Sequence, residues 1–445
     1  MSSERPRLFY GWFIVFLSAL GLLLGPPLMV FSFGVFFKPM VAGFHASRAA
    51  VSFAFSLFNF VGALSIPFTG VAIDRFGAKR VILLFTLLYG LFLCTAFWVG
   101  DSLWQLYVFF TLLGVAMASG VSPVPHGVVL SHWFNRYRGF ALGLSMMGIG
   151  VGSVVVPILA QRLIMMFGWR SAFAMFGGAV LLVPLPVMAA WLQNDPAERG
   201  LRPDGDAQAL LSPLASPARH GLSWSEIWHS PTFWLLICIF SLAGASVHGA
   251  ALHMAAIFTD RGVSAARAAT ATSLLGAAVI VGRLGSGYLL DRIFAPRVAI
   301  LFYGATALGI AILCTGVHGN LALQAAFLTG LGLGAEVESV GYMMSRYFGL
   351  TAFGTAYGVA FGAFMISGSA GVLLMGAGYD RFHSYTVPLA CLCVTIVVAL
   401  ILLSRLGPYR YGVDAEMRAP MNAVEVSSSA KTSTIPFIVE TKENS

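Results

Sequence analysis

Three charged residues lie in stretches of the chain that are otherwise almost entirely apolar. Arg283 stands eight residues before Asp291. Glu336 and Glu338 stand ten and eight residues before Arg346. A guanidinium keeps its charge and can hold a carboxylate with two parallel hydrogen bonds, whereas a carboxyl group in apolar surroundings can take up a proton because burial disfavours its charged form. These residue types favour anion binding at Arg283 and proton exchange at Glu336 or Glu338, with a permanent ion pair between them as the structural alternative.

The composition predicts that these charges lie inside a membrane. Of the 445 residues 58% are hydrophobic and 10% are charged, against roughly 45–50% and about 25% in soluble domains. A transmembrane helix needs about 20 apolar residues. Such runs lie at 12–37, 49–73, 81–99, 103–124, 139–160, 171–192, 232–258, 265–290, 298–317, 321–344, 353–378 and 386–406.

The depth of the three charges follows from the helix rise. At about 1.5 Å per residue, eight to ten residues place them about 12–15 Å below the loop, close to the middle of a hydrocarbon layer about 30 Å thick. A cation at that depth costs at least about 2.5 kcal/mol on insertion scales, so Arg283 is expected to face a cavity and a partner. Glu336 and Glu338 point about 200° apart on one helix, so at most one is expected to face the cavity squarely.

The spans divide into two groups of six. We predict an N-terminal bundle at 1–192, a polar cytoplasmic linker at 193–231, a C-terminal bundle at 232–406 and a disordered cytoplasmic tail at 407–445. An even number of spans puts both termini on one side, and most of the 26 Lys and Arg residues lie in loops of that side. Because positive loops stay in the cytoplasm, both termini are predicted to be cytoplasmic, in an inner or plasma membrane.

One loop sequence occurs twice. The stretch at 70–80 recurs at 287–292, an offset of 217 residues, and a weaker echo pairs 133–139 with 346–349. The first copy, Gly-x-x-x-Asp-Arg-x-Gly-x-Lys-Arg, resembles the signature of the major facilitator superfamily. The resemblance covers about 10–406 and implies an all-α membrane protein with 12 transmembrane helices in two pseudo-symmetric bundles, which carries solutes by alternating access. The residues that it assigns to gating are Gly70, Asp74, Arg75, Gly77, Arg80, Asp291 and Arg292.

Within the superfamily the chain resembles the monocarboxylate transporters and the oxalate:formate antiporters. The residues that carry this likeness are 10–12 and 31–38 at the two ends of the first span, and the spacing of Arg283 from the loop aspartate. Those families place an arginine at this position and often a lysine where Lys38 stands, which implies carboxylate binding at Arg283. Proton-coupled members usually carry an aspartate in the eighth span, where this chain has Ala277, Ala278 and Val279. If protons are coupled, we expect the carrier in the tenth span.

Other polar residues in the spans are candidates for substrate contacts. Lys38 could steer anions at the outer mouth or be an interfacial lysine. His126 follows a Ser-Pro-Val-Pro break in the fourth span, and a buried, hydrogen-bonded histidine is the alternative for it. His248 and His253 in the seventh span are expected to be buried, hydrogen-bonded histidines. The further candidate donors are Asn59, Tyr342 and Tyr357.

Several classes of protein are excluded or disfavoured. The net charge of +8 lies mainly in short loops, so no nucleic-acid partner is expected. The five cysteines lie in apolar runs, and no metal, cofactor or catalytic motif is evident.

We predict a monomeric secondary transporter of a small organic anion, such as a monocarboxylate, that is coupled to protons or to a counter-anion. A proton-driven exporter of drug-like or cationic solutes is the alternative, since Glu336 and Glu338 could attract a cation, and a transport-inactive sensor is a second.

Overall fold

The protein is described by a computed structural model over residues 9–205, 221–316, 319–409 and 411. These residues are helical apart from turns, short connections and one isolated bridge between Gly221 and Gly349. The middle of the predicted linker and nearly all of the predicted tail at 407–445 lie outside the described residues.

The first half of the chain forms six spans, several of which are broken into shorter helices. Prolines begin new helices within or next to the breaks, because proline at the first helical position loses no hydrogen bond. A π-helical turn at Pro27–Phe31 interrupts the first span, and Gly168, with φ +81°, forms the bend between the fifth and sixth spans. The helices are α1 (Tyr10–Leu22), α2 (Phe33–Gly43), α3 (Arg48–Phe76), α4 (Ala78–Cys94), α5 (Leu103–Gly120), α6 (Pro123–Trp133), α7 (Arg138–Ser145), α8 (Met147–Leu182) and α9 (Pro184–Trp191).

The second half forms six spans from longer helices. A one-turn helix, α10 (Trp224–Trp228), ends the linker and begins with a capping box in which Ser223 and Glu226 satisfy each other's backbone N–H groups. The remaining helices are α11 (Pro231–Leu252), α12 (Met254–Asp260), α13 (Ala265–Leu290), α14 (Ala295–Cys314), α15 (Asn320–Phe348), α16 (Phe353–Phe382) and α17 (Thr386–Ser404).

Ten segments of the described chain are long and apolar enough to cross a membrane. One of them, Arg138–Trp191, has 54 residues and contains both the fifth and the sixth predicted spans, which meet at the Gly168 bend. The tenth predicted span, α15, is 29 residues long but is not among the ten. Its buried glutamates and serines reduce its hydropathy, and most of its surface is covered by other helices instead of lipid. These two differences reconcile ten segments with twelve crossings.

The two bundles meet on one side of the membrane. We call this the motif side, defined by Asp74 and Asp291, and the opposite side the far side. Helix α3 packs on α16, α7 packs on α13, and α6 packs on α15 and α16. The extensive contacts of α2 and α12, which lie toward the far side, and those of α8, which bends there at Gly168, are all within their own bundles. The structure therefore shows a conformation whose motif side is closed.

Small residues allow this close approach. A Cβ on Gly139 of α7 would lie 2.5 Å from the carbonyl oxygen of Gly287 in α13, and the reciprocal distance is 2.7 Å. The same arrangement recurs between Gly70 of α3 and Gly354 of α16. Real side chains at these positions would push the helices apart. The duplicated sequence thus forms two equivalent contacts between the bundles.

Candidate functional site

The deepest charged contact joins the eighth and tenth spans. Arg283 Nη1 lies 4.0 Å from Glu338 Oε1, and the two side chains are 14% and 0% exposed. Within the described residues, this nitrogen and both Glu338 oxygens are buried and form no hydrogen bond. The helices can approach because a Cβ at Gly334 would lie only 2.9 Å from the backbone nitrogen of Arg283. Arg283 is therefore close enough to Glu338 for attraction, yet keeps hydrogen-bond donors unused.

The second carboxylate faces a different helix. Glu336 Oε2 lies 3.7 Å from His248 Nδ1 of α11, and the side chains are 2% and 25% exposed. The same nitrogen lies 3.2 Å from the Gly244 carbonyl oxygen. The imidazole packs edge-on to Phe364 of α16, with ring centroids 5.4 Å apart. We call Arg283, Glu336, Glu338 and His248 the central cluster.

Two tyrosines flank the central cluster. Tyr303 of α14 is fully buried, its hydroxyl forms no hydrogen bond in the described part of the chain, and it is within electrostatic range of both glutamates. Tyr357 of α16 is also buried and is within range of Glu338. Its ring stacks on Phe353 at a centroid distance of 5.6 Å. Of the predicted substrate donors, Tyr357 is the one that the structure brings near this cluster.

The other predicted substrate residues make their contacts elsewhere. Tyr342 packs under the Arg346 guanidinium, 5.0 Å from its ring centroid, on the motif side. The Asn59 amide donates to the Phe55 carbonyl of its own helix at 2.9 Å. Lys38 is exposed on α2. His126 is fully buried within the N-terminal bundle, where a Cβ at Gly21 would lie 2.7 Å from its ring.

The two loop aspartates bind helix N-termini of the opposite bundle. Asp74 accepts hydrogen bonds from the backbone of Gly354 at 2.9 Å and of Thr355 at 2.7 Å, in the first turn of α16. Asp291 accepts from the backbone of Gly139 at 2.6 Å and of Phe140 at 2.8 Å, in the first turn of α7. A carboxylate at this position satisfies free N–H groups and interacts favourably with the helix dipole. These four bonds link the two bundles on the motif side.

The basic residues of the same loops lie outside these contacts. Arg75, Arg80 and Arg292 are exposed. The Arg75 guanidinium stacks on Phe76, and that of Arg292 stacks on Tyr288 at 3.5 Å from the ring centroid. Gly77, with φ +85°, forms the turn between α3 and α4. Of the charged residues in these two loops, the aspartates are the ones whose hydrogen bonds cross between the bundles.

Two other arginines cross between the bundles, and they were not among the predicted site residues. Arg138 Nη1 donates to Ser345 Oγ at 2.7 Å. Arg346 donates to the Asn135 side-chain oxygen at 2.8 Å and to its backbone oxygen at 2.7 Å. The sequence signal for them was the weaker echo of 133–139 at 346–349, which predicts equivalent positions but not their partners. His248 was not among the predicted site residues either, because a lone histidine in an apolar span is more often a structural one.

Comparisons with known proteins identify the family. The sequence profile of the Major Facilitator Superfamily matches residues 11–372 and 246–435. Monocarboxylate transporter 13 of Bos taurus is 28% identical over 432 residues, which cover 87% of this chain and 93% of that protein. The uncharacterized MFS-type transporter YcxA of Bacillus subtilis is 23% identical over 384 residues, covering 82% and 88%.

Solved structures show the same fold. The MFS proton:xylose symporter XylE bound to 6-bromo-6-deoxy-D-glucose superposes with a TM-score of 0.72 at 13% identity, covering 91% of this chain and 97% of that one. FucP in the outward conformation gives 0.65 at 16% identity, covering 90% and 99%. The predicted two-bundle membrane fold is confirmed. Together with the duplicated loop motif, these matches show that the chain is a secondary transporter, not an enzyme, and belongs to the major facilitator superfamily.

Proposed function

We propose that this transporter carries a small organic anion, a monocarboxylate, by alternating access, with Arg283 as the anchor of the carboxylate. The observation that carries the proposal is the buried Nη1 of Arg283, which forms no hydrogen bond in the described structure and lies 4.0 Å from Glu338. Coupling is to a proton held by Glu336 or Glu338, or to a counter-anion. The aspartates Asp74 and Asp291 stabilise one closed gate.

The distance favours an exchangeable contact. A permanent, hydrogen-bonded ion pair between arginine and carboxylate has N···O distances of about 2.7–2.9 Å. At 4.0 Å the Arg283–Glu338 pair lacks such bonds, so an incoming carboxylate can replace Glu338 without breaking any. The relatives named as monocarboxylate transporters support the same substrate class.

An exporter of cationic solutes is the second candidate. The central cluster contains two glutamates and one arginine, and oxygens of both glutamates are buried without a hydrogen-bond partner in the described structure. A cation could bind these carboxylates. Arg283 opposes this binding by repulsion, which is why we prefer the anion.

Uptake into proteoliposomes tests the proposal. We expect uptake of radiolabelled pyruvate, lactate or benzoate above that of protein-free liposomes. The Arg283→Ala variant loses charge-assisted hydrogen bonds of about 1.5–3 kcal/mol, so its kcat/KM falls about 10–100-fold. The Arg283→Lys variant keeps the positive charge but loses the two parallel hydrogen bonds. Its kcat/KM is expected to lie between those of the wild type and Arg283→Ala.

The matched control is Arg162→Ala, which removes an exposed arginine of α8. Its uptake is expected to equal that of the wild type. Unchanged affinity in Arg283→Ala would show that the anchor is elsewhere. Transport of amines but of no carboxylate would favour the exporter.

A further inference from the structure

We infer that the two buried glutamates have separate tasks: Glu336 and His248 together hold the coupling proton, and Glu338 is the counter-ion of Arg283 that the substrate displaces. This inference rests on the proposed anion transport and assigns the proton that the proposal leaves open between two residues.

The helix geometry separates the two carboxylates. Residues two apart on an α-helix point about 200° away from each other. Accordingly, Glu338 points to Arg283 on α13, at 4.0 Å, while Glu336 points to His248 on α11, at 3.7 Å. The two contacts lie on opposite flanks of α15. One substrate carboxylate can therefore replace Glu338 at Arg283 without entering the Glu336–His248 contact.

Among the described residues, few charged or titratable groups surround Glu336. Arg283 of α13 is within electrostatic range, as is Glu338 on the same helix. Tyr303 of α14 is also within electrostatic range. From α16, Tyr357 is within range of Glu338.

The remaining elements that pack on α15 and α11 direct their titratable groups elsewhere. From α7, Arg138 bonds Ser345, further toward the motif side. His126 of α6 packs on Gly21. His253, at the end of α11, bonds Tyr385 and a backbone oxygen. His248 is thus the titratable group in contact with Glu336.

Charge balance explains why a proton would travel with the anion. Arg283 brings one positive charge, whereas Glu336 and Glu338 bring two negative charges. An anionic substrate would add a further negative charge in a setting where uncompensated charge is expensive. A proton on the Glu336–His248 pair offsets it, so that anion and proton enter without a net change of charge.

His248 is the more exposed member of the pair. Its side chain is 25% exposed and that of Glu336 is 2% exposed. A proton from water can bind the imidazole and then move from Nδ1 to Glu336 Oε2. At 3.7 Å the two atoms are beyond hydrogen-bond distance, so a small ring rotation, away from Gly244, completes the transfer. Release follows the reverse path, with no bond other than N–H and O–H formed or broken.

Counterflow and pH-driven accumulation of pyruvate separate coupling from transport. Wild-type proteoliposomes are expected to show both, with about tenfold accumulation per imposed pH unit for one proton per anion. Glu336→Gln and His248→Gln are expected to lose accumulation, to a ratio of about one, while counterflow changes by less than about threefold. Glu338→Gln is expected to retain pH-driven accumulation with an altered KM.

The matched control for His248→Gln is His253→Gln, because His253 lies on the same helix and its contacts can be kept by glutamine. It should accumulate pyruvate as the wild type does, and melting temperatures of all variants confirm folding. Accumulation by Glu336→Gln at the wild-type level, or its loss in Glu338→Gln alone, would overturn the inference. So would wild-type pyruvate transport that ignores the pH gradient, whereas a wild type that moves no carboxylate would refute the proposed function itself.

Discussion

The contact between Arg283 and Glu338 is an incomplete ion pair. Both side chains are buried, and the closest nitrogen and oxygen are 4.0 Å apart. A guanidinium and a carboxylate attract each other over this distance in a low-dielectric setting, without a hydrogen bond between them. In the proposed mechanism, Glu338 competes with a substrate carboxylate for the same guanidinium.

Removing the competitor should strengthen anion binding. In Glu338→Gln, the substrate no longer displaces a carboxylate, and we expect KM for pyruvate to fall about two- to tenfold, equivalent to roughly 0.4–1.4 kcal/mol. The free protein should melt at a lower temperature, because Arg283 is left as a buried charge without its partner. Uptake kinetics and thermal unfolding measure the two effects. A higher KM would place Glu338 in direct contact with the substrate instead.

Residue types and spacing predicted the depth of the charges, but not every partner. Arg283, Glu336 and Glu338 could be placed near the middle of the membrane because each lies a fixed number of residues from a loop. Rotation about a helix axis could not be predicted, since an apolar span has no polar face to orient it. For this reason the His248–Glu336 contact was missed and Tyr342 was expected near the substrate.

At the scale of elements, the same contact between a loop aspartate and a helix N-terminus occurs twice. A loop aspartate from each bundle binds the first turn of a helix in the other bundle, Asp74 at α16 and Asp291 at α7. The loop repeat in the sequence predicted two equivalent gating segments. Their partners are 280 and 152 residues away along the chain, so the sequence repeat alone could not identify them.

The Asp291 contact should respond to pH. Burial in the closed gate raises the pKa of Asp291 from its ordinary value of 3.8 to about 6, in spite of the opposing backbone hydrogen bonds and nearby arginines. When the gate opens and water reaches the carboxyl, its pKa returns toward the ordinary value. The closed conformation thus binds the proton more tightly. Lowering the pH from about 6 to about 4 favours it by about tenfold per unit.

Distances between the bundles measure this equilibrium. Spin labels at Arg80 and Arg297, exposed residues of the two bundles on the motif side, should report a larger closed fraction at pH 4.5 than at pH 7. In Asp291→Asn the carboxyl is absent, and this response should disappear. An identical pH response in the variant would assign it to another group.

At the scale of the whole molecule, the sequence predicted the architecture well because the membrane imposes it. Apolar runs of about 20 residues reveal crossings directly, and the loop motif indicated the superfamily that the comparisons confirm. The relative position of the bundles was not predictable. The bundles can contact each other either on the motif side or on the far side. In this structure they are in contact on the motif side.

A closed motif side gives the central cluster a role in the transport cycle. With α2, α8 and α12 packed within their own bundles, the bundles meet where α3 packs on α16, α7 on α13, and α6 on α15 and α16. A substrate would then reach Arg283 from the far side. Breaking the two aspartate contacts would open the opposite path, as alternating access requires.

Ligand-induced thermal stabilisation tests the central claim most directly, that Arg283 anchors a monocarboxylate. The purified protein and its Arg283→Ala and Arg162→Ala variants are heated with mono-, di- and aromatic carboxylates, amines and sugars. A monocarboxylate at about a hundred times its Kd should stabilise the wild type and Arg162→Ala by about 2.7 kcal/mol and leave Arg283→Ala unchanged. Stabilisation by amines or sugars alone, or equal stabilisation of Arg283→Ala by the carboxylate, would contradict the claim.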